Sequence, residues 1–217
     1  MQGYYIALEG PDGAGKTTQM KMLVEALKLA HVPFINIREP GATDVGKKIR
    51  EILLTGDANK LDATTEALLF SADRRHTILT LVRPALAAGK WVLSDRTFLT
   101  TLVFQGYGGG LSLEMLKQLT AIAVEDTRPH LQIVLDLPVN ESLNRKAPQF
   151  QAGLDENRME SKGDAYHQRN RDGYHAEVAK HPDHYALVDA RGTHHEVHAR
   201  IVEALNTKLG LTLKPSI

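Results

Sequence analysis

A glycine-rich stretch near the start of the chain has the residue types and spacing of a phosphate-binding loop. It follows an apolar run at residues 4–8 and precedes an amphipathic segment, the strand, loop and helix setting that such a loop requires. Its glycines let backbone N–H groups point inward, and the following helix adds the positive end of its dipole. Lys16 is expected to contact the β- and γ-phosphates of a triphosphate, and Thr17 to bind Mg²⁺. The predicted cradle comprises Gly10, Pro11, Asp12, Gly13, Ala14, Gly15, Lys16, Thr17 and Thr18.

Three arginines, Arg38, Arg74 and Arg96, lie at separate points of the chain, each on an element expected beside the strand that precedes this loop. A planar guanidinium suits bidentate capture of phosphate, so the three together predict a second anionic ligand facing the triphosphate. The alternative for each is a weak surface ion pair. Asp95 follows a predicted strand and is a candidate to bind Mg²⁺ through water; a salt bridge to Arg96 or a helix cap is the alternative.

Composition limits the class of protein. The 217 residues are 42% hydrophobic, enough for a core, and one domain spanning 1–217 is the default expectation. Lys+Arg and Asp+Glu balance at 26 each, which argues against a nucleic-acid duplex or a membrane surface as partner. Cysteine is absent, and neither a signal peptide nor an apolar run of spanning length is apparent. We therefore expect a soluble cytoplasmic protein.

Strands and helices alternate along the chain, which predicts a doubly wound, parallel five-stranded α/β sheet with helices on both faces. Predicted strands cover residues 4–8, 32–37, 91–93, 131–135 and 185–188. A long helical stretch from Asp62 to Ala88 is expected to kink at Pro84 and to stop at Gly89. The hydrophobic period disappears at about 147–163, so this segment is predicted to form a mobile lid over the site.

Five sequence motifs in this order resemble those of the thymidylate kinases: residues 9–18, Arg38-Glu39-Pro40-Gly41, 70–74, Asp95-Arg96 and Phe104-Gln105-Gly106. The match runs from Tyr5 to about Val188 and is loose after Leu143. The resemblance implies a nucleoside monophosphate kinase fold and the reaction of ATP with dTMP to give ADP and dTDP with Mg²⁺, a step of dTTP synthesis. Members of the family are often homodimers, and the segment 62–88 is a candidate interface.

The resemblance also assigns individual residues. It sets Asp12 against the 3′-hydroxyl of the nucleotide, stacks Phe70 on thymine, and directs Arg74 to the thymine O4, where cytosine would present a donor instead. Phe70 has the alternative of being a plain core residue. The resemblance assigns binding of the acceptor phosphate to Arg38 and Arg96. Further assignments are Thr101 and Gln105 near the base, Phe104 beneath the sugar and Arg145 against adenine.

Departures from the family pattern are Thr97, Leu99 and Thr100 after Asp95-Arg96, and Phe104 in place of a tyrosine. They leave a broader deoxynucleoside monophosphate kinase open as an alternative to a dTMP kinase. A nucleotide-driven switch without a second substrate site is a further alternative. Some relatives carry an arginine inside the phosphate loop, where this chain has Asp12 or Ala14, so the catalytic cations are predicted to be Lys16, Arg96 and the lid residue Arg158.

The histidines His194, His195 and His198 include an i, i+4 pair, the spacing of helical zinc sites. The intervening order is not that of a zinc motif, so we interpret them as a solvated helix start.

Overall fold

A computed structural model describes residues 2–54, 61–151 and 163–216, without the side chains of 146–151. Five parallel strands form one sheet in the order β2-β3-β1-β4-β5, which confirms the predicted architecture. The strands are β1 Tyr5–Glu9, β2 Phe34–Arg38, β3 Trp91–Asp95, β4 Leu131–Asp136 and β5 Tyr185–Asp189. Every residue of the central β1 is buried, as expected for a strand covered on both faces. The carboxyl ends of these strands share one edge of the sheet, where ligands of such folds bind.

Helices cover both faces of the sheet. One apolar cluster joins Ile6 and Leu8 of β1 to the first and last helices, and a second joins Tyr5 to the helices after β2 and β3. Alternate residues of β1 thus pack into the apolar clusters on opposite faces of the sheet. The helices are α1 Lys16–Leu29, α2 Asp44–Leu54, α3 Ala63–Thr77, α4 Arg83–Ala87, α5 Phe98–Thr101, α6 Leu113–Val124, α7 Val139–Gln151, α8 Asp164–Lys180 and α9 His194–Leu209.

The long helical stretch is interrupted by a change of register rather than by a simple kink. It begins at Asp62, whose side chain accepts from the Thr64 and Thr65 N–H groups, and α3 passes into a π-helical segment, Ile78–Val82, before α4. Pro84 lies in the first turn of α4, so the wide turn precedes the residue that lacks an N–H donor. The stretch ends before Gly89, whose φ of 69° is left-handed, as predicted.

A second π-helical segment, Leu102–Gly108, continues α5 and carries Phe104 and Gln105. The sequence predicts an ordinary helix over 97–105, so the wider turn is a correction. Such turns occur frequently at functional sites, because the extra residue alters which side chains face inward. Across the parts of the chain that the structure describes, no helix is both long and apolar enough to cross a bilayer.

The predicted solvated helix start is correct for His194 and His195 but wrong for His198. His198 is fully buried, and its Nε2 lies 3.2 Å from the backbone N–H of Ser216, which donates to it. The C-terminal segment packs on this face of α9, because the Ser216 hydroxyl also donates to the Met22 carbonyl of α1 at 3.0 Å. Residues 2–54, 61–151 and 163–216 contain no cluster of three or more metal-ligating side chains.

Candidate active site

The glycine-rich loop joins β1 to α1 at the carboxyl edge of the sheet. Gly10, Gly13 and Gly15 have φ values of 126°, 81° and 90°, a region that residues with a Cβ rarely adopt. At Gly10 a Cβ would also lie 2.5 Å from the Leu135 carbonyl oxygen. Gly15 is the N-cap of α1 and brings no side chain to cap its first turn. The free N–H groups of that turn are therefore available to an anion.

Lys16 is buried beneath this loop, with 7% of its surface exposed. Its Nζ donates to the carbonyls of Gly10 at 2.9 Å and Pro11 at 2.7 Å, and lies 3.6 Å from Asp12 Oδ1. Burial, with a smaller contribution from Arg96, lowers the pKa of the Lys16 amine from 10.5 to about 8. A polyphosphate would add negative charge beside this buried amine and favour its protonated form.

Thr17 and Thr18 are exposed at the first turn of α1. Asp95 ends β3, and its Oδ1 is buried without a hydrogen-bond partner in the described part of the protein. A hydroxyl on one side and a carboxylate oxygen on the other are hard oxygen donors of the kind that Mg²⁺ prefers. Arg38 ends β2 and is exposed, with its Nε 3.8 Å from Asp95 Oδ2.

Arg96 links β3 to the phosphate loop. Its side chain is 13% exposed, and its Nη1 donates to the Gly10 carbonyl at 3.3 Å and to Thr100 Oγ1 at 3.1 Å. Nη2 donates to Asp12, so that carboxylate is paired with Arg96 rather than facing an open space. Burial lowers the pKa of the Arg96 guanidinium, but the charges of Asp12 and its neighbours outweigh this and raise it. The backbone of Arg96 is left-handed, with φ 74°.

Arg74 lies on α3 and is 3% exposed. Its Nε donates to Glu39 Oε2 at 2.8 Å, and both Nη atoms lie 3.3 Å from Thr101 Oγ1. Glu39 is 2% exposed, and burial raises the pKa of its carboxyl to about 7, with Arg74 opposing the shift. Sequence reasoning gave Glu39 no role. The Arg-Glu-Pro-Gly motif that contains it is the only signal that could have found it.

Gln105 lies one turn after Thr101 and is 3% exposed. Its Nε2 donates to Glu66 Oε2 at 3.4 Å, whereas its Oε1 is buried without a partner among the described residues. Phe70 is half-buried and belongs to none of the three buried apolar clusters formed by the described residues. Its exposure leaves ring surface available for stacking.

Phe104 is 8% exposed and belongs to the apolar cluster beneath α8. Its ring meets Tyr166 edge to face at a centroid distance of 6.3 Å, and Arg96 Cζ lies 5.3 Å from its centroid. Phe104 thus packs in the core and also supports the Arg96 guanidinium.

Arg145 is exposed on α7, and its Nη2 donates to the Ala190 carbonyl just after β5 at 3.2 Å. It therefore lies across the phosphate loop from Arg38 and Arg74, which are near β2 and β3. Arg158 lies outside the described residues. Of the predicted lid, residues 147–151 are the end of α7 and residue 163 precedes α8.

Comparison with known proteins agrees with this arrangement. The family model described as "Thymidylate kinase" matches residues 8–201. The chain belongs to the thymidylate kinase family. It is 40% identical to the thymidylate kinase of Desulforapulum autotrophicum over 212 residues, covering 96% of this chain and 93% of the relative. It is 41% identical to that of Syntrophotalea carbinolica over 211 residues, covering 96% and 97%.

Among solved structures, the crystal structure of thymidylate kinase from Ehrlichia chaffeensis superposes on the present chain with a TM-score of 0.76, and the two sequences are 25% identical. The match covers 94% of this chain and 100% of that one. The five-stranded sheet and its helices are thus those of thymidylate kinases, P-loop proteins of the α/β class.

Proposed function

We propose that this member of the thymidylate kinase family transfers the γ-phosphoryl group of ATP to dTMP, giving ADP and dTDP for dTTP synthesis. The observation that carries the proposal is a glycine-rich phosphate loop next to a second site lined by arginines, at one edge of the sheet. Relatives named thymidylate kinase, about 40% identical over almost the whole chain, support the choice of substrate.

The acceptor oxygen needs no general base, because the second pKa of a phosphate monoester is about 6 and the group is mostly ionised at neutral pH. Catalysis then depends on bringing two polyanions together in line and on stabilising the transferring group. Lys16 contacts the donor phosphates, and Arg96 stabilises the charge between donor and acceptor. Thr17 and, through water, Asp95 would hold Mg²⁺, which would supply further neutralisation of the phosphates.

The acceptor site recognises both ends of dTMP. Arg74, oriented by Glu39, donates to the thymine O4, while Phe70 stacks on the base and Thr101 and Gln105 line its edge. Cytosine would present an amino group to Arg74, a donor facing a donor. The exposed Arg38 and the neighbouring Arg96 bind the phosphate. Asp12 accepts from the 3′-hydroxyl when the nucleotide displaces part of its contact with Arg96.

The donor side holds the adenine next to Arg145 and the phosphates on residues 10–18. We propose that residues 1–217 form one kinase domain whose lid, about 147–163, brings Arg158 to the transferring phosphoryl group. A cation delivered in this way contributes about a thousandfold in rate in related phosphoryl transfers. Arg158→Ala should then lower kcat with little change in either KM, whereas Lys146→Ala should do less. Wild-type turnover by Arg158→Ala would exclude this assignment.

The chain is also proposed to act as a homodimer in the cytoplasm. Helix α3 packs between α2 and α6, and these helices, with the π-helical segment that follows α3, expose large apolar side chains: Val45, Ile52, Leu68, Leu79 and Ile122. Exposed apolar side chains on helices that pack together favour an interface between copies. The absence of cysteine suits a reducing compartment. Sedimentation of the chain with and without Leu68→Glu tests the dimer, since the substitution should yield monomers.

A coupled assay of ADP release over all common nucleoside monophosphates tests the function. We expect dTMP to be the best acceptor by kcat/KM. Comparable use of several deoxynucleotides would favour the broader deoxynucleoside monophosphate kinase. Thr97, Leu99 and Phe104 depart from the family pattern and are the residues that raise this alternative. ATP binding without turnover of any monophosphate would favour the switch.

A further inference from the structure

Glu9 lies at the carboxyl end of β1, immediately before the phosphate loop, and is completely buried. Its Oε1 accepts from the Thr97 N–H at 2.7 Å, and the Thr97 hydroxyl lies 2.8 Å from it and 2.5 Å from Gln132 Oε1. Its Oε2 accepts from the Thr100 hydroxyl at 2.5 Å and the Tyr174 hydroxyl at 3.5 Å. A fully buried carboxylate that accepts from a backbone N–H and from hydroxyls of two other residues is a built arrangement, since each donor offsets part of its cost of burial.

The direction of the hydrogen bonds connects Glu9 to Arg96. A threonine hydroxyl has one hydrogen, and that of Thr100 is given to Glu9. Its lone pairs then face the Arg96 Nη1, which lies 3.1 Å away and can only donate. The carboxylate therefore fixes the Thr100 hydroxyl as an acceptor for the guanidinium.

The same carboxylate holds the backbone of Arg96. With φ 74°, Arg96 has a conformation that costs free energy for a residue with a side chain. The Ser94 hydroxyl donates to the Arg96 carbonyl at 2.7 Å, and Glu9 accepts from the next N–H, that of Thr97. Glu9 thus restrains both the backbone turn and, through Thr100, the guanidinium that reaches Gly10 and Asp12.

We propose that Glu9 is a positioning residue for Arg96, acting through the Thr100 hydroxyl and the Thr97 backbone. The inference rests on the proposed function only in that Arg96 acts on a transferring phosphoryl group. Glu9 itself is separated from the substrates by the residues that it holds. Tyr174 connects α8 to the same hydrogen-bond network, since its hydroxyl lies 3.4 Å from that of Thr100.

The test compares Thr100→Val, which keeps the shape but removes the hydroxyl, with Thr100→Ser, which keeps the hydroxyl. We expect Thr100→Val to lower kcat with dTMP by about tenfold to a hundredfold, the scale expected for a displaced catalytic group, while KM for ATP changes by less than about twofold. Thr100→Ser should stay within about threefold of wild type. Glu9→Gln should resemble Thr100→Val, and the double variant should fall little further, because both changes break one path.

Thr77→Val is the matched control. Thr77 is buried whereas Thr100 is partly buried, the Thr77 hydroxyl has no partner among the described residues, and Thr77 belongs to no part of the site. It should keep wild-type kcat. Equal loss in Thr100→Val and Thr100→Ser, or wild-type kcat in Thr100→Val, would overturn the proposal, and Thr100→Val carries the test if Glu9→Gln does not fold.

A measurement without substrates separates this inference from the proposed function. Nitrogen-15 NMR of the Arg96 guanidinium, assigned with Arg96→Lys, reports how firmly its hydrogens are held. Their exchange with water should be faster in Thr100→Val than in wild type and Thr100→Ser. If the wild-type protein does not phosphorylate dTMP, the proposed function fails while this comparison still decides whether Thr100 and Glu9 hold Arg96; unchanged exchange in Thr100→Val would contradict it.

Discussion

The phosphate loop and the acceptor pocket share one edge of the sheet but are assembled over different distances along the chain. In the loop, Lys16 bonds to Gly10 and Pro11, six and five residues before it. In the pocket, Arg74 pairs with Glu39 across 35 residues and with Thr101 across 27. Arg96 reaches Asp12 across 84 residues and joins the two regions.

Because of this difference, substitutions in the loop and in the pocket should affect catalysis and folding to different extents. The loop is built from backbone groups and one lysine, so a change of that lysine should affect the reaction more than the fold. The pocket is built from buried opposite charges on different elements, and the loss of one partner leaves the other buried and unpaired. Substitutions there should therefore affect the fold as well as the choice of acceptor.

The largest expected effect is on the pocket. Arg74→Ala should lower the free energy of unfolding by about 3–5 kcal/mol, because Glu39 would remain buried without its cation. Urea denaturation measures this, and Arg75→Ala is the control: because its pair with Glu125 is partly exposed, this substitution should change the free energy of unfolding much less. In the folded Arg74→Ala protein, dTMP use should weaken while KM for ATP is nearly unchanged. An ATP affinity that fell equally would assign Arg74 to the donor side.

The matching change in the loop should give the opposite pattern. Lys16→Ala should lower kcat by at least about a hundredfold, because one cation at the transferring group is lost. The melting temperature should stay near that of wild type, since burial of this amine is itself unfavourable. Lys21→Ala, an exposed residue of the same helix, should change neither quantity. Retained turnover by Lys16→Ala would refute the role of the loop as a phosphate cradle.

The buried amine also predicts how stability depends on pH. The pKa of Lys16 is lowered from 10.5 to about 8, so the unfolded chain binds the proton more tightly than the folded one. Unfolding free energy should then rise with pH from about 8 to 10.5, by up to about 3 kcal/mol at about 1.4 kcal/mol per pKa unit. Lys16→Met should lack this gain. Denaturation of both proteins at pH 8 and pH 10 gives the difference, in which other groups cancel; parallel curves would contradict it.

The smallest expected effect concerns the base. Replacing dTMP by dUMP removes one methyl contact, worth about 1 kcal/mol, so kcat/KM should fall about five- to tenfold. KM for ATP should not change, because the donor side does not contact the base. Steady-state kinetics at saturating ATP measure the ratio. Equal turnover of dCMP would be inconsistent with the pairing of Arg74 and thymine O4.

The features of the fold that depend on the pattern of neighbouring residues could be predicted from the sequence. All five strands, the glycine-rich loop and the end of a helix before Gly89 follow from periodicity and from residues with special backbone preferences. The two π-helical segments could not be predicted, because one extra residue in a turn leaves the apolar spacing almost unchanged. Glu39 and Glu9 were also missed as functional residues. Their roles depend on partners that only the folded chain brings near.

His198 and Asp12 are two further residues whose surroundings in the folded chain could not be predicted from the sequence. Spacing alone suggested a solvated His198, but the C-terminal segment covers it. The family resemblance assigned Asp12 to a sugar hydroxyl, which stays a prediction, but nothing in the loop sequence indicates that Asp12 pairs with Arg96 from a distant strand end. In both cases the missing information is which remote segment packs against the residue.

The left-handed backbone of Arg96 gives this position two opposed requirements. At φ 74° the main chain favours glycine, while the proposed role of Arg96 in phosphoryl transfer requires the guanidinium. Among variants that lack the guanidinium, Arg96→Gly should therefore unfold less easily than Arg96→Ala, by about 1 kcal/mol, the reverse of the order seen inside helices. Among such variants, a screen for thermal stability should therefore enrich glycine, whereas a screen for turnover should favour arginine, so the two properties select different residues at position 96.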